Sequence, residues 1–199
     1  MKLKNTYYCL RHGRSTANEA ELVVSLPENG VPEYGLSETG RVDTTALLAR
    51  EKLTAAGFAP PHDDVLCYSS DFRRAHETAR VFCESLALPA PTIDERLRER
   101  GFGSFELQSS ENYPVVWERD RADAEQNLDG VESTASVARR LRSFLDEMEA
   151  THSGKRIVCV SHGDPSQIFQ TIFAGLAPNE HRTLPHLENA ELRRLNADG

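Results

Sequence analysis

The chain has 199 residues, 39% of them hydrophobic and 27% charged, the composition of a folded globular protein rather than a disordered one. A chain of this length buries roughly 70% of its unfolded surface, so it needs neither disulfide nor metal to fold, and one domain over residues 1–199 is expected. Its 23 Lys and Arg against 31 Asp and Glu leave a net charge of −8, which argues against binding nucleic acid or a membrane surface through overall charge.

The first apolar run, Tyr7-Tyr8-Cys9-Leu10, is too short for the core of a signal peptide, and no later run approaches the roughly 18 residues of a membrane span. A cytoplasmic protein is expected. It should end Lys4 to Leu10 in a short strand, YYCL. A helix follows over Ser37 to Gly57, with Val42, Ala46, Ala49 and Leu53 on one face. Val65 to Ser69 reads as a second strand, and a helix with Phe72, Ala75, Ala79, Phe82 and Leu86 on one face comes directly after it. Residues 92–130 lack a period and are expected to form an irregular loop or lid with some short helix. A helix from Ser133 to about Ala150 precedes a third strand, Arg156 to Val160. Asp164 as N-cap with Pro165 at the first helical position starts the next helix, which Gly175 closes. Leu187 to Leu195 is a candidate last strand.

Strands alternating with helices predict an α/β fold, a three-layer α/β/α sandwich with a mostly parallel central sheet. Ligands in such folds bind beyond the carboxyl ends of the strands. Three polar clusters sit at such ends: RHGRSTAN after the first strand, SSDFRRA after the second and SHGD after the third. Parallel strands would set all three along one sheet edge. There Arg11, His12, Arg14, Arg73, Arg74 and His162 would converge. Guanidinium forks match phosphate oxygens, and a neutral imidazole can act as a nucleophile toward phosphorus. The helix starting near Asp71 could add backbone N–H groups to the same anion.

At these residues the chain resembles the histidine phosphatase superfamily, also called phosphoglycerate-mutase-like. Leu10-Arg11-His12-Gly13 with Asn18 matches that family's opening signature, and Gly35-Leu36-Ser37-Glu38-Thr39-Gly40 the segment after it. Ser69 to Ala75 with Thr78-Ala79, then Arg96-Leu97-Arg98-Glu99 with Gly103 and Glu106, then Asp129 to Ser133, and finally Val160-Ser161-His162-Gly163 follow in family order. The resemblance implies a phosphatase that works through a phosphohistidine on His12. It makes Arg11, Arg74 and His162 the groups that hold the phosphoryl, and Glu99 the general acid and base. Asn18 would be a further phosphate contact, and no metal or other cofactor would be needed.

Departures from the family pattern shape the expectation. Arg14 stands where the family commonly has Glu, and would add a cation near the pocket mouth. Ser104-Phe105-Glu106-Leu107 replaces the usual tryptophan-containing stretch. The loop from Glu21 to Gly35 lacks the mutase Gly-Trp, and the central segment lacks the long mutase insertion. Both favour a phosphatase over a phosphoglycerate-mutase-type phosphotransferase, and a catalytically weak phospho-ligand-binding module is the nonenzymatic alternative.

Each singled-out residue also has a plainer reading. Arg14, Arg73 and Arg98 read as solvated or rim charges rather than essential ones. Glu106 is the second choice for the acid, with loop ordering as its other role. His62, His76, His152, His181 and His186 read as surface residues, while Tyr113, Trp117 and Phe102 could line a cleft or simply pack. Cys67 and Arg73 have the gap of a cysteine phosphatase, but no glycine-bearing phosphate loop starts at Cys67. The other cysteines, at 9, 83 and 159, form no C-x-x-C pair and read as buried thiols rather than zinc ligands. The substrate class expected is a phosphorylated small molecule or phosphoprotein, with no nucleic acid, no membrane and an oligomeric state that composition does not fix.

Overall fold

The computed structural model describes residues 3–196. In chain order it runs β1 (Thr6–Arg11), α1 (Thr16–Glu19), α2 (Pro27–Gly30), α3 (Glu38–Leu47), α4 (Arg50–Ala55), β2 (Val65–Ser69), α5 (Arg73–Leu86), β3 (Thr92–Ile93), α6 (Tyr113–Ala122), α7 (Thr134–Thr151), β4 (Arg156–Ser161), α8 (Gly163–Ala174) and β5 (Leu192–Arg194). The sheet order is β3-β2-β4-β1-β5, with every pair parallel except the edge pair β1 and β5. β1, β2 and β4 therefore end on one edge, as the three polar clusters require.

Successive residues of a strand point to opposite faces, and both faces of this sheet are covered. Tyr8, Leu10, Val158 and Val160 pack on Leu48, Leu53, Phe58, Ala75, Ala79 and Phe82 on one side. Tyr7, Cys9, Ile157 and Cys159 face the other side, where Tyr7, Ile157 and Cys159 join Leu141, Phe144, Leu145, Ile168 and Phe169 of α7 and α8, and the Cys9 thiol meets Ser166 Oγ at 3.1 Å. This is why the strands read as unbroken apolar runs. No helix among the described residues is long and apolar enough to cross a membrane.

The expected helix over Ser37–Gly57 is two helices, broken where Ala49 adopts an extended conformation. Its buried residues are Ser37, Gly40, Thr44, Leu48 and Leu53, whereas Val42 and Ala46 are exposed. The apolar period failed there because α3 packs its small residues against the loop after β1. A Cβ on Gly40 would lie 1.9 Å from the Arg14 carbonyl oxygen. At the last helix the N-cap is His162 rather than Asp164, so Gly163 opens α8 and the Asp164 side chain is engaged elsewhere. The last strand is shorter than expected, Leu192–Arg194. Residues 92–130 carry the ten-residue α6 between single helical turns, and Phe102, Val116 and Val131 with Val23 form a small core beneath it.

Candidate active site

The register of β1 on β4 pairs Arg11 with Ser161. The next residue on each strand is a histidine, so the two emerge side by side, and the His12 amide donates to the Ser161 carbonyl at 3.0 Å. Their ring centroids lie 5.1 Å apart at 60°. Gly13 follows because the loop is pressed between α3 and α5: a Cβ there would sit 1.9 Å from Thr44 Oγ1. Its amide donates to Thr78 Oγ1 on α5 at 3.0 Å.

His12 is almost fully buried. Its Nδ1 lies 2.7 Å from the Gly13 carbonyl, an acceptor only, so Nδ1 carries the proton and Nε2 presents its lone pair. Arg74, from the first turn of α5, donates through Nε to that Nε2 at 3.2 Å and through Nη2 to the Val24 carbonyl at 2.9 Å. Burial, then Arg74 and Arg11, hold the His12 pKa well below the ordinary histidine value. The ring is neutral at neutral pH, as a nitrogen nucleophile must be.

His162 is also buried, and burial first, then Arg74, His12, Arg140 and Arg11, lower its pKa. Its Nε2 lies 3.0 Å from Ser70 Oγ, which already accepts the Phe72 amide at 3.2 Å. Ser70 thus has its own proton to give, an arrangement that leaves the ring proton on Nδ1. That Nδ1 lies 3.8 Å from Glu99 Oε2, and Arg74 Nη2 lies 3.8 Å from the same oxygen. The other Glu99 oxygen accepts the Arg100 amide at 3.0 Å. Burial outweighs the opposing pull of Arg74, with Asp164 adding to it, and pushes the Glu99 carboxyl up to about 7. A carboxyl so placed can give a proton near neutral pH and take one back.

Arg11 completes the group. Its Nη1 donates to the Leu187 carbonyl at 2.7 Å and to His186 Nε2 at 2.6 Å. Within this group three buried atoms have no hydrogen-bond partner: Arg11 Nε, Arg74 Nη1 and His162 Nδ1. Unpaired buried donors cost about 1–3 kcal/mol each, so three on neighbouring groups fit an oxyanion that they would share. Arg11, His12, Arg74 and Glu99 lie at one cleft of about 140 Å³, walled by Val24, Phe102, Tyr113 and Trp117. His12, Glu99 and His162 also offer three ligand atoms within 4.8 Å of one another. Two guanidinium groups in contact with the same cluster disfavour a resident dication, and the set fits an anion better.

Asn18 lines the cleft, its side-chain oxygen accepting from the Ser15 amide at 3.0 Å. Arg14 does not line it. Its side chain is largely exposed and lies 3.8 Å from Glu19, so it stands with the rim charges. Glu106 is also outside the cleft, accepting from the Ser25 amide at 2.7 Å and Asn29 Nδ2 at 2.9 Å, which ties the loop. Arg73 pairs with Glu77, and Arg98 with Asp71. Cys67 is buried within β2, away from the cleft. Tyr113 and Trp117 stack at 5.5 Å and 7° and line the cleft wall.

Sequence reasoning missed several groups. His181 is fully buried, not a surface residue, and His62, His76 and His152 are half-buried. His186, exposed along much of its surface, nonetheless meets Arg11. Arg100 is fully buried, bonded to Asp120 at 2.5 and 2.7 Å, to Asp164 at 3.3 Å and to the Glu132 carbonyl at 2.6 Å. Asp164 takes the Trp117 indole N–H at 3.1 Å, which is what draws it away from capping α8. Only Ser70 carried a signal, its place in the cluster after β2; nothing near Arg100 distinguishes it from a solvated arginine.

Known proteins resemble this chain over most of its length. A putative phosphoserine phosphatase 2 of Hydrogenobacter thermophilus is 26% identical over 199 residues, covering 96% of this chain and 89% of the relative. A probable phosphoglycerate mutase of Yersinia enterocolitica is 26% identical, covering 95% of this chain and 83% of the relative. The solved mycobacterial glucosyl-3-phosphoglycerate phosphatase complexed with VO3 superposes with a TM-score of 0.75 at 27% identity, over 94% of this chain and 90% of that one. The model of the histidine phosphatase superfamily, branch 1, matches residues 7–199, and the paired histidines, their arginines and the raised carboxyl lie where that match runs. The chain belongs to the histidine phosphatase superfamily, branch 1.

Proposed function

We propose that the protein is a phosphomonoesterase that passes the phosphoryl group through His12. The lone pair on His12 Nε2 attacks phosphorus, the N–P bond forms, and the ester P–O bond breaks. The leaving oxygen takes the Glu99 proton. Glu99, now a carboxylate, removes a proton from water as the water oxygen bonds phosphorus and the N–P electron pair returns to Nε2. Arg11, Arg74 and His162 neutralise the phosphoryl oxygens through both steps, the usual largest contribution in such transfers. Asn18 is a further contact at the cleft.

The observation that carries this reading is the pairing of a neutral, buried His12 with a Glu99 carboxyl raised to about 7 in the same cleft. Phosphatase is favoured over mutase because, among the described residues lining the cleft, Arg11 and Arg74 are the only arginines or lysines. Both are committed to the first phosphoryl group, and a second phosphate would have to find its cation beyond the cleft lining. The relatives' named substrates are phosphorylated small molecules, and a small molecule is the substrate proposed here. A cytoplasmic location belongs to this reading, and four free, buried thiols suit a reducing compartment.

The test is an acid-quench experiment with a labelled phosphoryl donor. Label held by an acid-labile, base-stable bond in the native protein and absent from His12→Ala is expected. Equal labelling of the variant would refute His12 as nucleophile.

A further inference from the structure

Glu99 Oε2, the oxygen nearest the histidine and the arginine, makes no hydrogen bond of its own, since its neighbours are 3.8 Å away. Its location is inherited from the main chain around it. That main chain is gripped from α7 and from the turn before α7. Arg140 donates through Nη1 to the Arg96 carbonyl at 2.6 Å and through Nη2 to the Glu99 carbonyl at 3.1 Å. Its Nε and Nη2 also reach the Glu132 carboxylate at 3.0 and 3.2 Å. Glu132 in turn accepts the Gly101 amide at 3.2 Å, and its own amide donates to the Gly101 carbonyl at 2.7 Å. Main-chain positions 96, 99 and 101 are thus fixed by one guanidinium and the carboxylate it holds.

These groups stand apart from the reacting ones. Arg140 and Glu132 line a second cleft of about 430 Å³ that shares Glu99 with the first but includes neither histidine. Arg140 therefore reaches Glu99 through its carbonyl and does not line the cleft that holds His12. An acid must bring its proton within hydrogen-bond reach of the leaving oxygen, and small displacements are costly in rate.

We propose that Arg140, braced by Glu132, is a positioning residue that sets where the Glu99 carboxyl stands. The proposal rests on Glu99 being the general acid. A guanidinium can bond two carbonyls and a carboxylate at once through its planar fork, whereas a lysine ammonium cannot span the three in that geometry. Losing Arg140 should displace the proton donor while leaving His12 and its contacts in place, because Arg140 acts on His162 through charge alone. Such a fault matters most for leaving groups that need protonation.

The experiment measures kcat/KM for a series of aryl phosphates running from p-nitrophenyl phosphate to phenyl phosphate. Arg140→Met, Arg140→Lys and Glu99→Gln are compared with the native protein, with thermal melting followed in parallel. Arg140→Met is expected to lose about 30-fold on phenyl phosphate and less than about threefold on p-nitrophenyl phosphate, part of the 10²–10⁴-fold that general acids contribute. Arg140→Lys, which keeps one of the bonds, should fall between. An equal loss across the series, or no loss at all, with Glu99→Gln selective for phenyl phosphate, would overturn the positioning role alone. A flat response of Glu99→Gln would instead remove Glu99 as the acid, and the proposal with it. Should Arg140→Met fail to fold, Arg140→Lys and Glu132→Gln give the same reading: a steepened series supports the role, and a uniform loss overturns it.

Discussion

Arg74 donates through Nε to Nε2 of His12 across 3.2 Å, so its guanidinium rests on the lone pair that attacks phosphorus in the proposed mechanism. An arriving phosphoryl group has to draw that guanidinium onto its own oxygens, which couples substrate binding to release of the nucleophile. Arg74→Ala should lower kcat by about 10²–10³-fold, as removal of one preorganised donor does. The same change removes a nearby cation, so the His12 ring should titrate higher than in the native protein. NMR titration of His12 checks the direction; an unmoved or lower value would contradict it.

The two titrations also predict the pH profile. Lowering of the His12 pKa keeps that ring neutral below the ordinary histidine range. Raising of Glu99 to about 7 keeps its carboxyl protonated on the acid side of that value. The value of kcat/KM should therefore hold through mildly acidic pH and fall as pH rises through about 7. In Glu99→Gln the descending limb should vanish. A native profile still rising at pH values well above that limb would be inconsistent with a protonated carboxyl doing this work.

All four cysteines are free and buried. The Cys67 thiol is pushed far up, first by its contact with Cys83 and then by burial, and burial pushes Cys159 up as well. Native protein should leave a disulfide reagent nearly unreacted until denaturant is added, and Cys67→Ser should keep activity within about threefold, in line with a buried, inert thiol. Loss of all activity in Cys67→Ser with activity retained in His12→Ala would reverse the assignment.

Chelators should leave turnover unchanged, because the proposed chemistry uses protein groups only. Loss of activity in chelator, restored by one metal, would require a different mechanism.

Asp120→Ala should destabilise the fold by about 3–5 kcal/mol, because it strands the fully buried Arg100 without its bidentate partner. Urea unfolding measures this. A cost under about 1 kcal/mol would mean that Asp164 and water replace the lost carboxylate.

The sheet and the site edge were legible because each buried parallel strand is an apolar run that stops at a polar cluster. The convergence of His12 and His162 follows from parallel pairing, which the alternation of strands and helices already implied. The packed face of α3 was not legible: Gly40 and Thr44 meet the backbone after β1, and no apolar period announces that contact. Asp164 has every local feature of a cap, yet partners distant in sequence, Arg100 and Trp117, take its carboxylate. Arg100 reads as one more charged residue in Arg98-Glu99-Arg100, and only its long-range partners explain its burial.

The strand order has a consequence for synthesis. β4, made after some 150 residues have emerged, slots between β2 and β1. Until it does, the nascent chain carries two naked strand edges facing a gap, the kind of template on which polypeptides stick to one another. Before that insertion the chain can neither join β2 to β1 nor bring His162 beside His12, and only the edge strand β5 is left to add afterwards.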